Sequence, residues 1–238
     1  MKGTHYDFAF SIGRSCHCSM ILRKMNLQTY LYPFDSIVTF EEPFPPDHYK
    51  HAVAEKVEML LSDFKSFIDL EHLGIYEPVI DEYPWLNVYN KRNRFHFPHD
   101  FPNGKTIAAS YPMVKAKYDR RIQRLFSKIA ESHNVLAVYL QDSWDQFDLT
   151  TSYMPDEQLV YWNDSLNKKF PNTNIHFCFL EHSAERKIYE IEKIQLNEKV
   201  MRFRSNHSFT RGRDEHPMIA SAEIILLELM KKETARLK

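Results

Sequence analysis

Three stretches decide the fold: VLAVYL (135–140), PDEQLVYWNDSLNKK (155–169) and IHFCFL (175–180). The first and third are unbroken apolar runs of strand length, the form taken by strands buried on both faces of a parallel sheet. The stretch between them is helical, with Pro155 near its first turn, where a missing N–H costs nothing. Strand, helix, strand in this order is the parallel crossover unit.

Working outward, Val200–Arg204 is a further candidate strand, and Pro217 opens an apolar helix through Ile219, Ile224, Leu226, Leu227 and Met230. Lys231 and Lys232 complement the dipole at its end. Toward the N-terminus, Lys115–Glu131 has Tyr118, Ile122, Leu125, Phe126 and Ile129 on one helical face. Asp47–Ile68 is helical through Tyr49, Val53, Val57, Leu60, Leu61, Phe64 and Phe67, with Asp47 as N-cap. EEPFPP (41–46) punctuates the chain, and Tyr30–Val38 reads as extended. Tyr6–Ser11 is the first strand, ending at Gly13 before a helix through Ile21, Leu22 and Met25. Residues 70–112, rich in aromatics, His and Pro, read as irregular structure or short strands near the working face. The expectation is one α/β domain over 1–238, a mainly parallel sheet with helices on both faces (Rossmann-like, three-layer) and 70–112 as an irregular insertion near the active face. No internal repeat or low-complexity segment is present.

Composition narrows the function classes. With 43% hydrophobic and 26% charged residues the chain has the makeup of an ordinary globular protein. The formal net charge is -1, without a polybasic tail, which argues against nucleic acid as the obligatory partner. No run approaches ~18 consecutive apolar residues, so no membrane span is expected, and the first residues lack signal-peptide form. Three cysteines, an odd number with two of them two residues apart, do not make a disulfide framework and point to a reducing cytoplasm.

The most specific local feature is Ser11-Ile-Gly-Arg-Ser-Cys16-His-Cys18, which follows a strand and precedes a helix. Amides at a helix N-terminus favour an anion, so Cys16 there is biased toward the nucleophilic thiolate. Gly13 gives the turn freedom and Arg14 adds positive potential. The competing reading packs Cys16 under the helix as a small hydrophobe, and Cys18 is read as structural. Cys16, His17 and Cys18 fall short of a four-ligand zinc set, and neither metal nor cofactor is expected. For a base, FHFPHDF (95–101) offers His96, read as an exposed loop residue, and His99, open between solvent-exposed and catalytic; Asp35 is a candidate orienting group. Arg120, Arg121 and Arg124 form either a solvated basic face or an anion clamp. Asp214 and His216, before the last helix, read either as helix caps or as partners of Ser11 in a serine-hydrolase arrangement.

Taken in order, Ser11-Ile-Gly-x-x-Cys16, Tyr32-Pro-Phe-Asp35, His99-Asp-Phe101 and Lys117-Tyr-x-Arg-Arg-Ile-x-Arg124 resemble a bacterial family described as "putative papain-like cysteine peptidases". The resemblance covers roughly the first 140 residues. It implies Cys16 as nucleophile, His99 as base and Asp35 as a partner, on a Cys-bearing helix and a separate His-bearing antiparallel sheet. That second implication conflicts with the parallel α/β periodicity. This chain also departs from the family pattern at Ser36, where an aromatic residue is usual.

Three functions follow as expectations. The first is a cytoplasmic thiol hydrolase or acyl-transfer enzyme acting on a small-molecule, peptide or glycan substrate. The second is a glycan- or nucleotide-sugar-handling enzyme of surface polysaccharide assembly, with phosphate held by Ser11–Cys16 and the arginine clamp. The third is a non-catalytic binding module. The sequence leaves the oligomeric state open.

Overall fold

The computed structural model describes residues 5–39, 52–76, 83–140, 154–182, 191–205 and 217–230. The chain is mixed α/β: a mainly parallel five-stranded sheet, an antiparallel four-stranded sheet, and helices.

The parallel sheet carries β1 (Phe8–Ser11), β6 (Asn134–Leu140), β7 (Asn174–His182), β9 (Val200–Ser205) and β8 (Ile191–Gln195), in that spatial order. All neighbours are parallel except β8 against β9. The stretches that decide the fold are where the periodicity puts them, with α4 (Asp156–Lys169) between β6 and β7. Alternate strand residues divide between two cores. Phe8, Phe10, Val135, Ala137, Tyr139, Phe177 and Phe179 join the larger one. Ala9, Leu136, Val138, Leu140, Cys178 and Leu180 join a smaller one with α1 (Cys16–Lys24) and α5 (Pro217–Met230). The strand β8 escapes sequence reading because IEKIQ is an exposed edge with charged residues at 192 and 193, which is how edges avoid pairing with other chains.

The segment 70–112 is more regular than its composition suggests. β3 (Leu73–Ile75), β4 (Trp85–Asn90) and β5 (Phe95–Pro102) form the antiparallel sheet with β2 (Val38–Thr39), in the order β2-β5-β4-β3. A single parallel sheet therefore does not describe the chain, and the antiparallel sheet that the family resemblance implies is present beside it. Phe95, Phe97 and Phe101 of β5 enter the larger core with Phe34, Phe64 and Phe67, so the two sheets share apolar interior. The β4–β5 register slips: Val88 pairs with Phe97 but Leu86 with Phe101, so residues 98–100 lie opposite Asn87 alone. Such bulges re-aim side chains.

Helix α3 (Ile107–Ala130) starts eight residues before the predicted Lys115. Thr106 caps it, its hydroxyl accepting from the Ala109 amide at 3.1 Å, and Pro112 is tolerated near the start on an exposed face. Helix α2 (Ala52–Leu61) is shorter than the predicted 47–68: the backbone turns through positive φ at Asp63, Phe64 and Ser66. The predicted cap Asp47 and the prolines of 41–46 lie outside the described residues, as do Asp214 and His216. Tyr30–Val38 is not one extended run. Pro33–Ser36 forms a 3₁₀ turn that buries Phe34 and Asp35.

At the carboxyl ends of β7 and β9 sits a buried ionic cluster. Glu181 accepts from Arg202 at both oxygens, at 2.8 and 3.0 Å, and Arg204 approaches it at 3.7 Å. Arg202 also reaches the Met154 carbonyl at 2.8 Å and the Asp156 carboxylate in the first turn of α4. Burial works against the Arg202 charge, but Glu181 and Asp156 hold its pKa above the usual arginine value.

Candidate functional site

The turn between β1 and α1 lies at the carboxyl end of the parallel sheet, where α/β proteins place ligands. Ser11 is buried and its Oγ accepts from the Gly13 amide at 3.1 Å. Gly13 is required by space rather than by φ: a Cβ there would fall 2.6 Å from Cys18 Cβ and 3.3 Å from the Leu140 nitrogen. Its smallness lets α1 seat against β6. Ser15 is the N-cap, accepting from the His17 amide at 3.2 Å, and Cys16 is the first residue of α1, half-buried. Ser19 Oγ donates to the Cys16 carbonyl at 2.9 Å and lies 3.3 Å from the Asp35 carbonyl, which ties the first turn to the 3₁₀ turn. Cys18 points inward, its thiol donating to the Val138 carbonyl at 3.3 Å, and burial pushes its pKa up to about 12.

Asp35 is buried, its Oδ2 accepting from the Tyr32 amide at 2.7 Å and from Gln28 Nε2. Burial raises its pKa to about 6, against the opposing pull of these hydrogen bonds and of Arg121 and Arg23. The carboxylate thus holds the 3₁₀ turn in shape. Ser36 has a partner of its own: Arg121 Nη1 donates to its Oγ at 2.9 Å while the guanidinium lies 5.5 Å from the Tyr118 ring centre.

The three arginines have different surroundings. Arg120 is exposed, Arg121 is engaged with Ser36, and Arg124 donates to the Leu31 carbonyl at 3.1 Å and covers the Tyr30 ring. Arg14 Nε donates to the Thr39 carbonyl at 3.1 Å, and its own carbonyl accepts from the Thr39 amide at 2.9 Å. These side chains fasten α3 and β2 to the turns, a use of arginine that spacing alone does not distinguish from ligand binding.

Both histidines of FHFPHDF lie on β5. His96 is buried, contrary to its reading as an exposed loop residue, with Tyr89 stacked at 5.7 Å and Tyr76 edge-on at 5.0 Å. His99 is exposed in the bulge, its Nδ1 3.2 Å from the Tyr83 hydroxyl. Its neighbour Asp100 is buried and bound to Lys117 and the Tyr118 hydroxyl, which explains the pairing of the third and fourth motifs: they lock β5 to α3. A Cys-bearing helix and a His-bearing antiparallel sheet are therefore both present, and His99 lies beside the Tyr83 hydroxyl.

One residue at the turn was missed from sequence. Lys56 of α2 is fully buried, and its Nζ donates to the Gly13 carbonyl and lies 5.6 Å from the Phe34 ring centre. Burial lowers its pKa to about 7, while Cys18, Asp35 and Cys16 act to raise it. The signal was available: Lys56 lies three residues after Val53 and four before Leu60, inside the apolar stripe of its helix.

Among the described residues no group of three or more His, Cys, Asp or Glu could hold a metal ion, and no helix is long and apolar enough to cross a membrane. Comparison with the curated proteins and with solved structures finds no match. Residues 7–154 match the model of the family described as "Putative papain-like cysteine peptidase", and the chain belongs to that family.

Proposed function

We propose that the protein is a cysteine-dependent hydrolase or acyl-transfer enzyme with Cys16 as nucleophile. The observation that carries this reading is the contrast between its cysteines: Cys18 and Cys178 are buried, whereas Cys16 is half-buried at the first position of a helix. A helix start favours the thiolate. In the reaction, the Cys16 sulfur attacks a substrate carbonyl carbon and forms a thioester as the leaving group departs with a proton. Water then hydrolyses the thioester, or a second acceptor takes the acyl group. First-turn amides beyond the one capped by Ser15 stabilise the oxyanion. His99 moves the proton, its ring set out from β5 by the bulge, and Asp35 shapes the adjoining 3₁₀ turn rather than touching the imidazole. Family membership supports hydrolysis of a carboxyl derivative.

The test is acyl-enzyme trapping with p-nitrophenyl acetate. The expected result is a burst of nitrophenolate and an acetyl mass increment on Cys16 alone, absent in Cys16→Ser and slowed about 10²-fold or more in His99→Ala. Absence of a burst, together with a Cys16 thiol that titrates at or above the free value of about 8.5, would leave a non-catalytic binding module in its place.

A further inference from the structure

A buried ammonium is costly unless charge or hydrogen bonds compensate it, so a lysine without solvent exposure calls for a reason. Lys56 has none. Its Nζ donates to the carbonyl of Gly13, the residue whose smallness seats α1 against β6, so it grips the strand-to-helix turn from the α2 side. The acidic groups that act on it are Cys16 and Cys18 of α1 and Asp35 of the 3₁₀ turn.

These three acids differ in what they can do. Cys18 is committed as a buried thiol, donating to the Val138 carbonyl and held protonated up to about 12 by burial. Asp35 Oδ2 is occupied by the Tyr32 amide and Gln28. Cys16 alone of the three is partly open to solvent, so its ionisation is the one an incoming substrate can use.

We infer that Lys56 is the positioning residue of the Cys16 site: its ammonium fixes the Gly13 carbonyl and supplies the counter-charge that favours the Cys16 thiolate. This rests on the reading of Cys16 as the nucleophile. Lys56 acts through Cys16 and touches no substrate. Its depressed pKa, about 7, makes that counter-charge weaken as pH rises past neutrality. Cys16 reactivity then grows with pH less steeply than that of a thiol with a permanently charged neighbour.

The experiment follows Cys16 alkylation by iodoacetamide across pH, read by mass spectrometry, in the wild type and in Lys56→Met. The expected result is an upward shift of the Cys16 midpoint that slows alkylation at neutral pH about tenfold. An unchanged profile in a folded Lys56→Met protein overturns the inference. Should Lys56→Met fail to fold, the same coupling is read from the other side, because coupling between two sites is reciprocal. The Lys56 amine is titrated by NMR in wild type and in Cys16→Ser. A downward shift of its midpoint in Cys16→Ser supports the pairing, and an unshifted midpoint overturns it. Acylation of Cys16 without coupling would keep the nucleophile and reduce Lys56 to a structural clamp. Coupling without acylation would keep Lys56 as the counter-charge and remove the hydrolase reading.

Discussion

Glu181→Leu is expected to destabilise the protein by about 3–5 kcal/mol, the range for removing one partner of a buried ion pair. Glu181 fills both acceptor positions facing the Arg202 fork, and each side chain is 2% exposed. Its loss takes the bidentate carboxylate from a guanidinium in the interior, leaving it beside the Met154 carbonyl and the half-exposed Asp156. The cost is thus mainly that of a buried cation whose fully buried counter-charge is gone. The double variant Glu181→Leu/Arg202→Met should recover most of it, since replacing both partners with apolar groups of similar volume is often neutral. Urea unfolding of the four proteins of this cycle measures both quantities. A single-variant loss below about 1 kcal/mol would show that Arg202 finds water or rotates out. Because the cluster joins α4 to β7 and β9, Cys16 alkylation in the still-folded variant should be unchanged.

Stability is expected to rise by about 1–2 kcal/mol as pH increases from about 7 to about 8.5, and Lys56→Met should remove most of that rise. In the unfolded chain the lysine keeps its proton to 10.5, whereas the folded protein releases it from about 7. Between those values the unfolded state binds more protons, so raising the pH favours the folded state. Burial is the largest cause of the shift and outweighs the opposing influence of Cys18, Asp35 and Cys16. Other groups act in other windows. His96 and His176 are both lowered to about 4 by burial, and add stability only as pH rises toward 6.5. Asp35, raised to about 6, subtracts stability between 3.8 and that value. Cys18, raised to about 12, opposes folding only once unfolded thiols ionise, near 9.0. Lys117, lowered to about 8 by burial and Arg121, adds in the same direction as Lys56 above that pH. Unfolding midpoints across the window, in wild type and Lys56→Met, decide the matter; equal slopes would mean that Lys56 stays protonated in the folded protein.

Much of the fold was legible because the relevant pattern is local. Unbroken apolar runs at 135–140 and 175–180 have few readings other than parallel strands, and Cys16 at a strand-to-helix turn follows from where the first run stops. The antiparallel sheet was hidden by its own irregularity. Trp85–Asn90 alternates cleanly between half-buried and buried positions, but its partner FHFPHDFP carries two prolines and a bulge, and the period of two breaks where the pairing slips. Helix α3 was cut short at its start because Pro112, its sixth residue, reads as a breaker, yet the helix runs through it from the Thr106 cap. At the site, the partners of the candidate side chains were not legible. Whether an arginine meets a ligand or the Leu31 carbonyl is a long-range fact, and so is a lysine on α2 meeting a glycine carbonyl 43 positions away.

The slip between β4 and β5 also sets which length changes that sheet can absorb. Phe97 and Phe101 both face the core, separated by residues 98–100 opposite Asn87. Excising Pro98 and His99 together would bring Asp100 opposite Asn87 and leave Phe101 paired with Leu86, a regular ladder with every aromatic still inward. Excising one of them would leave two residues opposite Asn87, the ordinary one-residue bulge. The ladder would thus close without His99, and the two additional residues serve something other than the pairing they interrupt.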